Sequence, residues 1–217
     1  MNLNDLVDEI YVINLDERED RLESVTKQFK EMNSEFKRYS AIKREKGTNG
    51  NKLSWLNVIY TAIKRDQQTI AICEDDVVFR RQLLTDLPTL KPQIDETDFD
   101  VLSFHHYCSE KRSQSIQHMD KEDDEDIKLI KVKQKPFCNQ FLILKNLTLW
   151  RHQLIWTLTR KDHLYRSLDH TLTHFGDKSK PYITSREYTF QLDDFSTIKN
   201  YKVKRFHQKK RYEDIIG

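Results

Sequence analysis

Three consecutive carboxylates, Glu74, Asp75 and Asp76, stand directly after the apolar, β-branched run at residues 69–73. The run reads as a buried strand, so it delivers negative charge to its C-terminal edge. In an open α/β sheet that edge is where ligands bind, and carboxylates there suit a hard divalent cation that in turn holds phosphate oxygens. The competing reading is a strand followed by an ordinary polar turn, because Asp is common in turns. Arg18 and Arg21 follow the C-terminal end of another apolar run, at residues 9–15. They can pair with a diphosphate or, more locally, with Asp16, Glu17 and Asp20. His105 and His106 end a further apolar run at residues 100–104, and His170 and His174 are spaced to share a helix face. The latter pair reads as metal ligands or as surface and core histidines.

The elements that must position these groups follow from periodicity. Residues 9–15 read as a strand, 18–32 as an amphipathic helix through Leu22, Val25, Phe29 and Met32, and 36–42 as a second strand. Strand, helix, strand opens a parallel α/β sheet. Residues 43–52 are polar, contain Gly47 and Gly50, and read as a loop; 53–64 carry Leu53, Leu56, Ile59, Tyr60 and Ile63 on one helical face. Strands follow at 69–73, 100–104, 127–132 and 137–144, with Asn139 and Gln140 at the start of the last. Helices are expected at 147–158 and 164–175, and short extended pieces at 181–184 and 189–192.

The 217 residues suit one domain with one substantial core. With 33 % charged residues and no apolar run near the roughly 20 residues that span a bilayer, the expectation is a soluble, cytoplasmic protein, in its own or a host cell. Residues 1–9 lack the cationic and apolar regions of a signal peptide. Cys73, Cys108 and Cys138 have no metal-ligand spacing and read as reduced thiols, and four glycines leave no glycine-rich phosphate loop. Net charge is +2, yet residues 198–211 hold seven bases and no acid, so the rest of the chain carries 30 − 35 = −5. The expected division is therefore a folded domain at 1–197 and a basic tail at 198–217. The tail suits an anionic surface, whether lipid, nucleic acid or phosphorylated glycan, but the preferred reading is a solvated C-terminal helix that packs its aromatics on the domain.

Three segments in order resemble glycosyltransferase family 25, which includes lipopolysaccharide and collagen galactosyl- and glucosyltransferases. They are residues 10–21 (Ile-Tyr-Val-Ile-Asn-Leu-Asp-Glu-Arg-Glu-Asp-Arg), Gly50 to Trp55 with the carboxylate run at 69–79, and Asp169 with Leu168 and Leu172 followed by residues 190–197. One departure is Trp55, which stands where the family usually has histidine. The resemblance implies a single-domain, GT-A type, Rossmann-like α/β fold with a mainly parallel sheet flanked by helices. It also implies a UDP-sugar donor, Mn²⁺ or Mg²⁺, and hexose transfer with inversion to a glycan, a protein hydroxyl or another hydroxyl acceptor.

On that reading Asp76 contacts the metal, with Asp75 and His174 as further ligands. Asp75 or Glu74 touches ribose or a metal-bound water. Asn14 reads uracil or ribose, Arg18 and Arg21 meet the diphosphate, Ser54 contacts donor or acceptor, and Asp169 is the base. Trp55 fits a core anchor as well as a ligand contact. Two other classes fit parts of the sequence: a binding module working through the basic tail, and a catalytically inactive family-25-like interaction domain.

Overall fold

The computed structural model describes residues 1–45, 47–105, 126–132, 139–160, 167–168, 179–191, 195–196 and 201–202. After a 3-10 turn at Leu3–Leu6, β1 (Glu9–Asn14) leads through α1 (Glu19–Glu31) to β2 (Lys37–Ser40), then through α2 (Gly47–Lys64) to β3 (Ile70–Glu74). β1 pairs in parallel with both β2 and β3. The chain thus steps to one side of β1 and returns past it to the other. Because parallel crossovers are right-handed, the reversal puts the two helices on opposite faces of the sheet.

Burial follows that geometry. Ile10 and Val12 of β1 join Val25 and Phe29 of α1 in one apolar cluster. Tyr11 and Ile13 join Trp55, Val58, Ile59 and Ala62 of α2 in the other. Alternate residues of one strand therefore serve two half-cores, the period-2 signature of a sheet covered on both faces.

Beyond β3 lie β4 (Val77–Phe79), α3 (Gln82–Glu96), β5 (Val101–Ser103), β6 (Leu129–Lys131), β7 (Phe141–Leu144), α4 (Leu147–Thr159), β8 (Pro181–Thr184) and β9 (Thr189–Gln191). The main sheet has seven strands in the order β2-β1-β3-β7-β5-β8-β6. β7 runs antiparallel to β3 and β5, and β6 antiparallel to β8; the other five strands share one direction. The expected class, a Rossmann-like, mainly parallel α/β sheet flanked by helices, is the one observed. β4 and β9 form a separate two-stranded ladder beside β3's end.

The α1 face is also covered by Leu83, Leu87, Leu90 and Ile94 of α3. Edge-to-face aromatic contacts link Phe29 to Phe79 and Phe79 to Phe141, both at 5.3 Å between ring centroids. Helix α3 holds Pro88 and Pro92, four apart on its exposed side. There the carbonyls that lose an intrahelical N–H partner can bond water, so the helix tolerates them.

Helix α3 had no counterpart in the sequence reading, and the start of α2 departs from it. Residues 47–52, expected in a loop, are the first turns of α2. A Cβ on Gly50 would lie 2.2 Å from the Ile42 carbonyl oxygen, so glycine is there to admit the segment after β2 against the helix. Ser54 completes that junction: its Oγ accepts from the Ile42 N–H at 2.7 Å and donates to the Gly50 carbonyl at 2.9 Å. Among the described residues no helix is long and apolar enough to cross a membrane. A short ladder between Phe195–Ser196 and Tyr201–Lys202 spans the position where the basic tail was expected to begin. The helix expected at 164–175 lies, but for residues 167 and 168, outside the described residues.

Candidate functional site

In an open sheet of this kind a crevice forms where successive crossovers leave in opposite directions, outside the C-terminal strand ends. Here that point lies between β1 and β3. Asn14 is the last residue of β1, and Asp75 and Asp76 form the turn after β3. All three are buried, at 1 %, 8 % and 4 % exposure. The chain has therefore carried two carboxylates into the place where water is scarce and their charge must be met by protein groups or by a ligand.

Arg21, in the first turn of α1, meets both. Its Nη1 donates to Asp75 Oδ1 at 2.9 Å and lies 3.5 Å from Asp76 Oδ2. Asn14 Nδ2 donates to Asp75 Oδ2 at 2.8 Å and to the Arg18 carbonyl at 3.0 Å, which holds the start of α1 beside the turn. Gln191, at the end of β9, donates through Nε2 to Asp76 Oδ2. Three elements, β1, α1 and β9, thus converge on two adjacent side chains. The negative charge here also pushes up the Cys73 thiol, whose titration is suppressed first by its complete burial and then by Asp76, Glu74 and Asp75.

Asn14 has a second use. Its Oδ1 accepts from Arg38 Nε at 3.1 Å, and Arg38 also pairs with Asp16, to which the Ser40 hydroxyl donates at 2.8 Å. The Ser40 bond, followed by the Arg38 guanidinium, holds the Asp16 carboxyl below its ordinary value. Arg18 makes the local pair the sequence offered, to Asp20 at 2.7 Å. Arg21 reaches further, to Asp75 and Asp76 more than fifty positions away.

For a divalent cation the donor set at this turn is partly committed already. Both Asp75 oxygens are engaged, by Arg21 and Asn14, and no three His, Cys, Asp or Glu side chains gather as a metal cage among the described residues. Hard carboxylate oxygens at a strand end nevertheless fit a cation of the Mg²⁺ type, which takes one or two carboxylates and completes its shell with water and phosphate. Asp76 and Asp75 are the residues that would hold it, and Arg21 would have to yield.

Ser54 lies on the α2 face, fully buried and committed to the Ile42 and Gly50 backbone. Trp55 is fully buried in the α2 half-core, with its Nε1 lacking a hydrogen-bond partner. Burying an indole contributes about 4–6 kcal/mol at ordinary apolar coefficients, against roughly 1–3 kcal/mol for the unmet N–H, so packing dominates and Trp55 is a core anchor. Glu74 continues the β3 alternation onto this same face. His105 is 1 % exposed, its Nδ1 2.7 Å from the Thr189 carbonyl oxygen and 3.1 Å from Glu187 Oε1. Asp169, His106, His170 and His174 lie outside the described residues.

Two sets of groups at this edge carried no role in the sequence reading. Gln191 sits in the 190–197 segment that resembles a family element, but only β4–β9 pairing reveals that it reaches Asp76. Asn139 and Gln140 were visible as polar residues opening a strand. The Glu74 N–H donates to the Gln140 carbonyl at 3.1 Å, which seats them beside the carboxylate turn. Asn139 Oδ1, Gln140 Oε1 and Gln191 Oε1 are buried without a hydrogen-bond partner, each at a cost of roughly 1–3 kcal/mol.

No protein-family model matches this chain, and no curated protein matches it. Solved structures similar to it include A197 from STIV, at 15 % identity over 91 % of this chain and 95 % of that one, with a TM-score of 0.47. A glycosyltransferase involved in glycosylation of the major capsid of PBCV-1 aligns at 10 % identity over 70 % and 67 % of the two chains, TM-score 0.42. The inositol-1-phosphate CTP transferase from T. maritima aligns at 11 % identity over 85 % and 70 %, TM-score 0.43.

Proposed function

We propose that this chain is a metal-dependent, inverting glycosyltransferase that moves a hexose, galactose or glucose, from a UDP-sugar to a hydroxyl acceptor on a glycan, a protein or another molecule. The observation that carries the reading is the convergence of Asn14, Arg21 and Gln191 on Asp75 and Asp76 at the sheet's switch point. Glycosyl transfer forms a bond from the acceptor oxygen to the anomeric carbon and breaks the bond from that carbon to the β-phosphate oxygen. The electron pair leaves on the diphosphate, so the site must meet negative charge that grows there. A bound Mn²⁺ or Mg²⁺ supplies Lewis-acid stabilisation of that charge.

The chain's own residues prepare the place. Asp76 and Asp75 hold the cation side, and Arg21, released from them, turns its guanidinium to the diphosphate. Asn14 fixes the entrance of α1 and orients Asp75, and Arg18 adds positive charge at the same end. A carboxylate must accept the acceptor hydroxyl's proton; Asp169 is assigned that role by the family resemblance.

The test is thermal stability against a panel of nucleotide sugars with and without Mn²⁺, for the wild type and Asp76→Ala. A ligand that binds only the folded state raises the melting temperature by mass action. The expected result is a Mn²⁺-dependent rise with a UDP-hexose that Asp76→Ala lacks. No rise with any nucleotide would end this reading and make the basic segment at 198–211 the part to study, with salt-dependent binding to nucleic acid or anionic lipid as the next measurement.

A further inference from the structure

Native proteins leave few buried polar atoms unsatisfied, and those that persist call for a partner from outside the fold. Among the described residues, three amide oxygens near the carboxylate turn are of this kind: Asn139 Oδ1, Gln140 Oε1 and Gln191 Oε1. Their placement is fixed by pairing. Cys73 faces Phe141 across the β3–β7 ladder, and the Glu74 N–H to Gln140 carbonyl bond extends the register by one. Gln140 therefore sits beside Glu74 and Asn139 beside Asp75. Gln191 faces Val77 across β4–β9, with Nε2 donating to the Asp76 carboxylate, an acceptor that fixes which end of the amide is which.

All three atoms are neutral acceptors. A diphosphate, itself an acceptor, offers them nothing, whereas a polyhydroxylated ring offers several O–H donors. We propose that Asn139, Gln140 and Gln191 form the hydroxyl-recognising part of the donor site and hold the hexose next to the Asp75–Asp76 turn. The proposal rests on the glycosyltransferase reading and adds to it the residues that select the sugar. Asn139 and Gln140 are each 1 % exposed, so bulk water does not satisfy their amides. Selection follows, because a site built to bond hydroxyls rejects an analogue that leaves its buried acceptors unmet.

The experiment is calorimetric titration of the full chain with UDP, UDP-galactose and UDP-glucose in Mn²⁺, for the wild type, Asn139→Leu and Gln140→Met. The wild type is expected to bind one UDP-hexose more tightly than UDP. Each substitution should remove about tenfold of that increment while leaving affinity for UDP unchanged. The ligand-free melting temperature should hold or rise, because an unmet polar atom gives way to an apolar one of similar size. Each variant is read alone, so a folding failure in one leaves the other decisive.

Variants that keep the whole increment overturn the proposal. So do variants that weaken UDP and Mn²⁺ binding as much as UDP-hexose binding, since the amides would then serve the nucleotide or cation. A wild type that binds UDP and UDP-hexoses alike overturns the sugar pocket and leaves the donor reading standing. A wild type that binds neither removes both.

Discussion

The two ends of the central sheet treat buried carboxylates differently. At the end opposite the switch point, Asp100 is 6 % exposed and met by uncharged partners: Asn146 Nδ2 at 3.2 Å and the Lys180 backbone N–H at 2.8 Å. Its own carbonyl accepts from Trp150 Nε1 at 3.0 Å and from the Lys145 N–H at 3.0 Å. Lys145 is spent on the Ile94 and Thr97 carbonyls and lies over the Phe99 ring. This knot ties α3, α4 and β8 together through hydrogen bonds in which side chains and backbone groups satisfy one another. At the switch point, Asp75 and Asp76 are adjacent like charges, answered by an arginine and two amides from separate elements, with three acceptor oxygens nearby unmet. The closed network stabilises a fold; the open one, on the proposed reading, is completed by a ligand.

Arg21→Met breaks the contrast most severely. Removing one partner of a largely buried ion pair leaves charge uncompensated, and about 3 kcal/mol of stability should be lost. If Arg21 and a divalent cation answer the same carboxylates, Mn²⁺ alone should restore more stability to Arg21→Met than to the wild type, read by chemical denaturation with and without the ion. Equal effects of Mn²⁺ on both proteins would mean that the guanidinium and the cation do not compete.

Asp100→Ala sharpens the other side. Two donors lose their acceptor inside the structural end, which should cost about 2–3 kcal/mol. UDP-sugar affinity, measured on folded protein, should stay within twofold of wild type. A selective loss of affinity would couple the two ends and undo the distinction drawn between them.

A smaller effect is expected at the junction under the site. Gly50→Ala gains roughly 1 kcal/mol of helix propensity but drives a Cβ into the Ile42 carbonyl, a backbone atom that cannot rotate away. Overpacking of this kind costs about 1–3 kcal/mol, so a net loss near 1 kcal/mol is expected, and the segment between β2 and α2 should shift. A more stable variant would show that the segment yields freely.

These positions also mark what the sequence could and could not say. The β3 strand and its carboxylates were legible because β-branched residues ending in charge have one plain physical reading, and the opening strand and helix because their apolar periods are clean. The start of α2 was not, since Gly47 and Gly50 look like loop residues until the Ile42 carbonyl is seen against the helix. Helix α3 was hidden by Pro88 and Pro92, which only a wet face excuses. Arg21 was legible as a cation near a strand end, with a phosphate or a local acid as partner; its contact with Asp75 depends on which face α1 covers, a property of topology rather than of spacing. Asn139 and Gln140 were legible only as polar residues opening a strand, and Gln191 only as part of the 190–197 segment, because an unmet hydrogen bond exists only once the fold has buried it.

The smallest predicted effect concerns Lys52, in the early turns of α2 on the side of the candidate site. It is fully buried, and loss of hydration depresses its pKa below the ordinary 10.5. The folded protein therefore releases this proton before the unfolded chain does. Where the two states differ, the unfolded chain binds more protons, so stability rises with pH. The cost of burying the ammonium is carried in full at neutral pH, shrinks as pH climbs through the folded-state value, and is gone above 10.5. Lys52→Met has no such group, so the stability gap between variant and wild type should narrow between pH 7 and 10.5. Urea denaturation across that range measures it, and a constant gap would mean that the amine keeps its hydration or finds full compensation in the fold.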